Sequence, residues 1–226
     1  GRILATTAAN LTGNTLNNVL YAGAGNNVLD GGSGLDTVSY AHGLAGTTGV
    51  TVSLAVGTAQ ATGGSGSDTL ISIENLIGSA SADKLTGNTS ANNLAGGSGN
   101  DTLDGGAGND TLVGGDGSDA YFVSDGGDVV SETNATASTG GRDTVFSTLA
   151  AYTLTANVEN GRILATTAAN LTGNTLNNVL YAGAGNNVLD GGSGLDTVSY
   201  AHGLAGTTGV TVSLAVGTAQ ATGGSG

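Results

Sequence analysis

Carboxylate side chains recur at a fixed spacing in the middle of this sequence. From residue 74 to residue 128, every ninth position carries an acid or its amide: Glu74, Asp83, Asn92, Asp101, Asp110, Asp119 and Asp128. The chain has no Cys and only two His residues, which argues against thiolate and histidine-rich metal sites. Carboxylate oxygens are hard ligands that suit divalent cations such as Ca²⁺ and Mg²⁺. The spacing therefore indicates an oxygen-only cation site.

These carboxylates belong to a nine-residue repeat with the pattern GGxGxDxUx, in which U is a large apolar residue. The pattern is clearest in three consecutive nonapeptides, GGSGNDTLD, GGAGNDTLV and GGDGSDAYF, which begin at Gly96, Gly105 and Gly114. The eighth position stays apolar throughout, at Leu76, Leu85, Leu94, Leu103, Leu112, Tyr121 and Val130. A shorter run has Leu20, Leu29 and Val38 in that position. A six-residue turn followed by a three-residue strand fits this period, and such repeats build a solenoid.

An all-β solenoid with two nonapeptides in each coil would stack equivalent residues of successive coils at about 4.8 Å. Glycine at positions one, two and four allows the backbone to adopt φ > 0 or to approach a neighbouring segment closely. Asp83, Asp101 and Asp119 would line one edge, and Asn92, Asp110 and Asp128 the other. Carboxylates stacked at about 5 Å repel by several kcal/mol, and a cation between turns, Ca²⁺ rather than Mg²⁺, would remove that cost. The alternative is a metal-free solenoid in which Asp only favours turns.

The three consensus nonapeptides resemble the RTX (repeats-in-toxin, haemolysin-type) calcium-binding repeat. The resemblance implies a right-handed parallel β-roll that leaves a bacterial cell unfolded by type I secretion and folds on Ca²⁺ outside. By position, it implies ligands from the side chains of Asp83, Asp101, Asp110, Asp119 and Asp128 and from the carbonyls of Gly97, Gly99, Gly106 and Gly108. Asn18 and Asn27 replace Asp in the first run, where an amide ladder can substitute and only Asp36 and its copy Asp196 remain as weaker candidates. Asp68 lies out of frame and is a doubtful ligand.

A longer repeat contains the nonapeptides. Residues 161–226 copy residues 1–66 without a change, so the long repeat begins again at Gly161. The sequence divides into three segments, 1–66, 67–160 and 161–226. The first contains an Asn-rich roll at 13–39. The second contains an Asp-rich roll at 69–131 and less regular coils at 132–160. Val50, Val52 and Leu54 alternate with polar residues and predict one half-buried strand. The first residue is not Met, and the second copy stops at Gly226, after GGSG, where the first copy continues with Ser67-Asp68-Thr69-Leu70, so we expect a piece of a longer array.

Composition excludes several function classes. A formal net charge of -13 opposes binding to nucleic acid and to anionic membranes. No run of about twenty apolar residues predicts a membrane span. The chain has no nucleophile motif and no phosphate-loop Lys, so we expect no enzyme activity. His42 and His202 have no predictable catalytic partner and are interpreted as structural or solvated.

Three functions remain. The first is a calcium-stiffened structural segment of a secreted bacterial surface protein, such as an adhesin stalk, a surface layer or a filament. The second is an accessory or secretion module of a secreted enzyme, as in calcium rolls of proteases, lipases and alginate epimerases. The third is a glycan- or ice-binding face, which the broken Thr row at Lys84, Asn93 and Ala120 disfavours. The expected partners are calcium ions and neighbouring repeats, in the same chain or head-to-tail, at an extracellular or cell-surface location.

Overall fold

The structure is a computed structural model that describes residues 1, 7–42, 48–134 and 139–201 and consists of two units, residues 1–141 and 142–226. In unit 1 the strands are β1 Ala9–Thr12, β2 Val19–Tyr21, β3 Asn27–Asp30, β4 Thr37–Ser39, β5 Thr51–Ser53, β6 Gln60–Gly63, β7 Gly66–Ile71, β8 Asn75–Ile77, β9 Lys84–Thr86, β10 Asn93–Ser98, β11 Thr102–Asp104, β12 Thr111–Asp116, β13 Ala120–Val123 and β14 Val129–Ser131. In unit 2 they are β15 Thr144–Ser147, β16 Ala151–Thr153, β17 Asn160–Ile163, β18 Ala169–Thr172, β19 Val179–Tyr181, β20 Asn187–Asp190 and β21 Thr197–Ser199. The described residues contain no helix that is long and apolar enough to cross a membrane. The predicted all-β class is confirmed.

Unit 1 is a parallel solenoid. One sheet has the strand order β14-β12-β10-β8-β4-β2, and the opposite side of the coils is formed first by β1-β3-β7 and then by β5-β9-β11-β13. In the Asp-rich roll, Leu94 pairs with Leu76 and Leu112, and Leu103 pairs with Leu85 and Tyr121. Each step from one coil to the next therefore spans two nonapeptides, as the sequence predicts.

The core is the predicted apolar ladder. In β11 only Leu103 is fully buried, because a three-residue strand turns one side chain inward and two outward. The eighth-position side chains from Leu76 to Val130 are all buried, as are Leu20, Leu29 and Val38. Because β10 lies against β9 and β11, the side chains from the two faces meet in a narrow apolar interior. This interior fixes the strands, and the strands hold the turns in register.

An insertion interrupts the first run of coils. Val50 and Val52 are buried and β5 pairs with β9, which confirms the predicted strand. Strands β6 and β7 then form an antiparallel hairpin, and β7 returns to pair with β3 in parallel, Leu70 opposite Leu29. The nonapeptide at 63–71 is therefore in register with residues 22–30 although it is out of frame in the sequence.

Unit 2 contains residues 142–160 of the region predicted to be less regular, 132–160, and residues 135–138 of that region lie outside the described residues. Strand β17 pairs with β15 with Asn160 opposite Thr144, a step shorter than two nonapeptides, and β18 pairs with β16 with Asn170 opposite Ala151, a step longer than two. The repeated sequence then forms β18–β21, the counterparts of β1–β4. Leu171 is buried between neighbouring strands, whereas the identical Leu11 on edge strand β1 is only half-buried. Residues 202–226, which include His202 and the end of the predicted third segment, lie outside the described residues.

Candidate metal centre

The sixth-position side chains form two columns along the edges of the roll in unit 1. On one edge, the Asp83 N–H donates to Asp101 Oδ1 at 2.8 Å and the Asp101 N–H donates to Asp119 Oδ1 at 2.7 Å. On the other edge, the Asn92 N–H donates to Asp110 Oδ1 at 2.8 Å and the Asp110 N–H donates to Asp128 Oδ1 at 3.0 Å. The columns have the membership that the spacing of two nonapeptides predicts.

The second column continues into the Asn-rich run. The Asn18 N–H donates to Asp36 Oδ1 at 2.7 Å, and the Asp36 N–H donates to Glu74 Oε2 at 2.7 Å. In unit 2, the Asn178 N–H donates to Asp196 Oδ1 at 2.9 Å. Asp36 and Asp196 thus hold the same place in their coils as the consensus aspartates.

The other carboxylate oxygen distinguishes the consensus turns. Asp36, Asp101 and Asp110 are no more than 1% exposed, and their Oδ2 atoms have no hydrogen-bond partner in the part of the chain that the structure describes. Each Oδ2 lies over the first glycine of its own turn. A Cβ on Gly96 would be 2.1 Å from Asp101 Oδ2, and a Cβ on Gly105 would be 2.3 Å from Asp110 Oδ2. A buried acceptor without a donor is costly, so these oxygens fit a cation.

Burial also shifts the acidity of the columns. Desolvation by burial is the largest cause that raises the pKa of Asp101, which reaches about 7. The negative charges of Asp119 and Asp83 also raise this pKa, whereas the hydrogen bond from the Asp83 N–H lowers it. Burial likewise raises the pKa of Asp110 and of Asp119. Burial therefore opposes ionisation of these three carboxyls when no metal is bound, and a divalent cation would stabilise their charged form.

Turn carbonyls add a second kind of oxygen. Gly97 and Gly99 have φ of +110° and +121°, and Gly106 and Gly108 have φ of +86° and +118°, a backbone region that favours glycine. A Cβ on Gly115 would lie 2.2 Å from the Gly97 carbonyl oxygen, so that carbonyl faces the following coil. The Gly106 carbonyl already accepts the Ser124 hydroxyl at 2.6 Å. Carboxylates with carbonyls form the oxygen-only donor set that suits Ca²⁺.

Asparagine changes the chemistry of a turn. The Nδ2 of Asn27 donates to the carbonyls of Gly23 and Gly25, at 3.0 and 2.9 Å. In the copied sequence, Asn187 Nδ2 donates to the Gly183 and Gly185 carbonyls at 2.9 and 3.0 Å. The amide N–H groups therefore engage the second and fourth carbonyls of the turn, as a cation would. This agrees with the expectation that amides substitute in the first run.

Asp68 and Glu132 are buried acids outside the predicted ligand set. Asp68 is fully buried. Its Oδ1 accepts the backbone N–H of Asn27 at 2.8 Å and the side-chain Nδ2–H of Asn27 at 3.0 Å, and its Oδ2 accepts the Thr62 hydroxyl at 3.2 Å. Glu132 occupies position one of its nonapeptide, one coil after Gly114. One of its oxygens, Asp119 Oδ2 and the Tyr121 hydroxyl all lie within 2.4 Å of where a Cβ on Gly114 would be. The sequence signal for Glu132 was an acid where a glycine is expected.

Acceptor oxygens stacked along the turns of a parallel β-roll define a calcium-binding repeat protein. The family model of the RTX calcium-binding nonapeptide repeat (4 copies) matches residues 10–41, 62–103, 86–121, 95–130 and 170–201. These residues make up more than half of the chain, so the chain belongs to this family, whose repeats bind Ca²⁺. The predicted family, β-roll fold and calcium cofactor are confirmed. A search of curated proteins finds no match to the chain.

Proposed function

We propose that this chain is a calcium-dependent structural segment of a secreted bacterial repeat protein, such as an adhesin stalk, a surface layer or a filament. The observation that carries the proposal is the set of buried carboxylate oxygens at Asp36, Asp101 and Asp110, which have no donor among the described residues. With Asp119, Asp196 and the carbonyls of Gly97, Gly99, Gly106 and Gly108, they would hold Ca²⁺ between turns. At low calcium their mutual repulsion opposes folding; outside the cell, calcium offsets it.

The charge distribution supports folding on calcium. Seven acids lie in the segment that begins at Asp101 and ends at Asp128, and no Lys or Arg lies among them. The thin apolar ladder must offset both this repulsion and the entropy of ordering the chain. Without calcium we expect the segment at 78–131 to be the first part to unfold.

The unchanged copy of residues 1–66 supports a spacer role. A catalytic module needs one site, whereas a spacer gains length from each additional repeat and tolerates identical copies. Head-to-tail association, in which the end coil of one segment pairs with the first coil of the next, would extend such an array further.

A calcium titration followed by circular dichroism and calorimetry tests the calcium step. We expect a cooperative gain of β-structure at roughly 10⁻⁴ to 10⁻³ M calcium, the range of extracellular modules. A chain that is equally folded in chelator would contradict the proposal. Magnesium at the same concentration is the matched control, because the flexible oxygen sites favour Ca²⁺.

A second experiment separates the spacer from an accessory module of a secreted enzyme. Small-angle scattering in calcium would compare proteins that carry one, two and three copies of the long repeat, residues 1–160. A constant increase in maximum dimension with each repeat supports the spacer, and no increase contradicts it. Light scattering of the present chain at high concentration tests self-association: a strict monomer in calcium would contradict head-to-tail stacking.

A further inference from the structure

The second residue of the nonapeptide divides the turns into two sets. In the first set this residue is Asn or Ser, and its backbone N–H donates to the side-chain oxygen of the sixth residue of the same turn. The distances are 2.5 to 3.0 Å, and the donor and acceptor pairs are Asn14 to Asn18, Ser79 to Asp83, Asn88 to Asn92, Ser124 to Asp128 and Asn174 to Asn178. The pattern holds in both units and for both Asn and Asp acceptors.

In the second set the second residue is glycine, and a sixth-position oxygen stays open. Among the sixth-position side chains, Oδ1 of Asn27 and Asn187 and Oδ2 of Asp36, Asp101 and Asp110 are buried and have no hydrogen-bond partner within the described ranges. Their second residues are Gly23, Gly183, Gly32, Gly97 and Gly106. The last three have φ of +90°, +110° and +86°, which Asn or Ser would rarely adopt. Glycine at position two thus accompanies an open acceptor in each of these turns, with a positive φ at Gly32, Gly97 and Gly106 but not at Gly183.

We propose that the second residue of each nonapeptide selects which turns of this chain bind calcium. Glycine leaves the sixth-position oxygen open to the ion, whereas Asn or Ser satisfies that oxygen with its own N–H. This inference rests on the proposed calcium-dependent function and refines its ligand set. Asp36, Asp101 and Asp110 bind the ion, and Asp83 and Asp128 are structural.

The surroundings of Asp83 and Asp128 support their structural role. Asp83 accepts the Ser79 N–H on Oδ2, and the Ser79 hydroxyl and Val50 N–H on Oδ1 at 2.8 and 2.6 Å. Asp128 accepts the N–H groups of Ser124 and Asp125 on Oδ2, both at 3.0 Å, and the Asp110 N–H on Oδ1. Three donors stabilise each carboxylate without a metal, whereas the consensus aspartates keep one oxygen unfilled.

Asp68 shows that a turn with glycine can also be closed from outside. Its second residue is Gly64, but the β6–β7 hairpin brings the Thr62 hydroxyl to Asp68 Oδ2 at 3.2 Å, and Asn27 fills Oδ1. We therefore place Asp68 with the structural carboxylates. The deciding feature is whether a protein donor reaches the sixth-position oxygen, and in the regular turns position two controls it.

Matched Asn-to-Asp substitutions test the proposal. Asn27 and Asn92 are 2% and 4% exposed, and each substitution adds the same charge at position six. In Asn27→Asp, two carbonyls and the Asp68 carboxylate would face the new carboxylate, and the second residue is glycine. In Asn92→Asp, the Asn88 N–H would cap it. Equilibrium dialysis with radioactive calcium should give one more ion per chain for N27D and an unchanged number for N92D.

The converse pair is Asp110→Asn and Asp128→Asn, neighbours in one column. We expect D110N to bind one calcium fewer and D128N to bind the wild-type number. If the wild-type chain binds no calcium, the calcium function itself fails. If the wild type binds calcium and D110N loses no ion, the assignment of Asp110 as a ligand is overturned. If D128N loses an ion as D110N does, or N92D gains one as N27D does, the selection rule is overturned while the calcium function stands.

Circular dichroism at saturating calcium shows that each variant folds before its ions are counted. If a loss-of-site variant does not fold, Ser79→Gly provides the independent arm, because it removes no ligand. That change should free Asp83 Oδ2, which accepts only the Ser79 N–H among the described residues, and add one calcium per chain. An unchanged number in folded S79G would overturn the rule.

Discussion

Replacing Asp101 with Asn should stabilise the metal-free chain. Asp101 is 1% exposed and has carboxylate neighbours at Asp83 and Asp119 in the same column. Two charges about 5 Å apart at an effective dielectric near 20 repel by about 3 kcal/mol. The amide removes that repulsion and retains Oδ1 as acceptor for the Asp83 N–H. In chelator at pH 8 we expect the free energy of unfolding to rise by about 1–3 kcal/mol.

The same substitution should weaken the response to calcium. A bound ion with a dissociation constant of roughly 0.1–1 mM contributes about 1.4–2.7 kcal/mol at 10 mM calcium. We expect the calcium-induced increment in unfolding free energy to fall by that amount in D101N.

Urea unfolding of the wild type and D101N, each in chelator and in 10 mM calcium, measures both effects. Asp104→Asn is the matched control, because it removes the same charge from a partly exposed side chain outside the columns. A D101N chain that is less stable in chelator and keeps the full calcium increment would refute the reasoning.

Three further predictions concern the core, the turns and pH. Leu103→Ala should cost about 2–5 kcal/mol of unfolding free energy in calcium, because Leu103 is fully buried; Thr102→Ala is the control, and an equal loss there would contradict a ladder core. Gly106→Ala should cost at least about 1–2 kcal/mol, since φ is +86° and the Cβ would lie 2.4 Å from the Asn88 carbonyl oxygen. Gly126→Ala is the control in the same urea assay, because a Cβ added at residue 126 would meet nothing within 4 Å. Burial raises the pKa of folded Asp101 from 3.8 to about 7, so its contribution to metal-free stability is complete below about pH 4 and is lost as pH rises through 7. Urea midpoints in chelator should therefore fall between pH 4 and 8, whereas in calcium acid should weaken binding because protons compete for the carboxylates.

The repeating features of the fold could be predicted from the sequence because the nine-residue period specifies the register directly. Leu85, Leu103 and Tyr121 stack because two nonapeptides separate each from the next, and Asp83, Asp101 and Asp119 follow from the same count. One apolar residue in each three-residue strand was enough to place the core.

The features that the sequence did not predict depend on contacts outside the period. Asp68 joins a column because the β6–β7 hairpin returns the chain to β3, 41 residues after Asn27, and nothing in the local motif gives that distance. The state of the second carboxylate oxygen depends on the backbone at position two, which decides where one N–H points. The buried Glu132 has one carboxylate oxygen in the space that a side chain on Gly114, one coil earlier, would occupy.

The hydrogen bonds along the carboxylate columns have a direction. At each step the earlier coil gives the N–H and the later coil gives the oxygen, from Asn92 to Asp110 and from Asp110 to Asp128. A stack built in this way has a direction, because one end presents N–H donors and the other end presents carboxylate acceptors. Copies of such a segment can join only with the same orientation, so an array of these repeats would grow as a polymer with distinguishable ends.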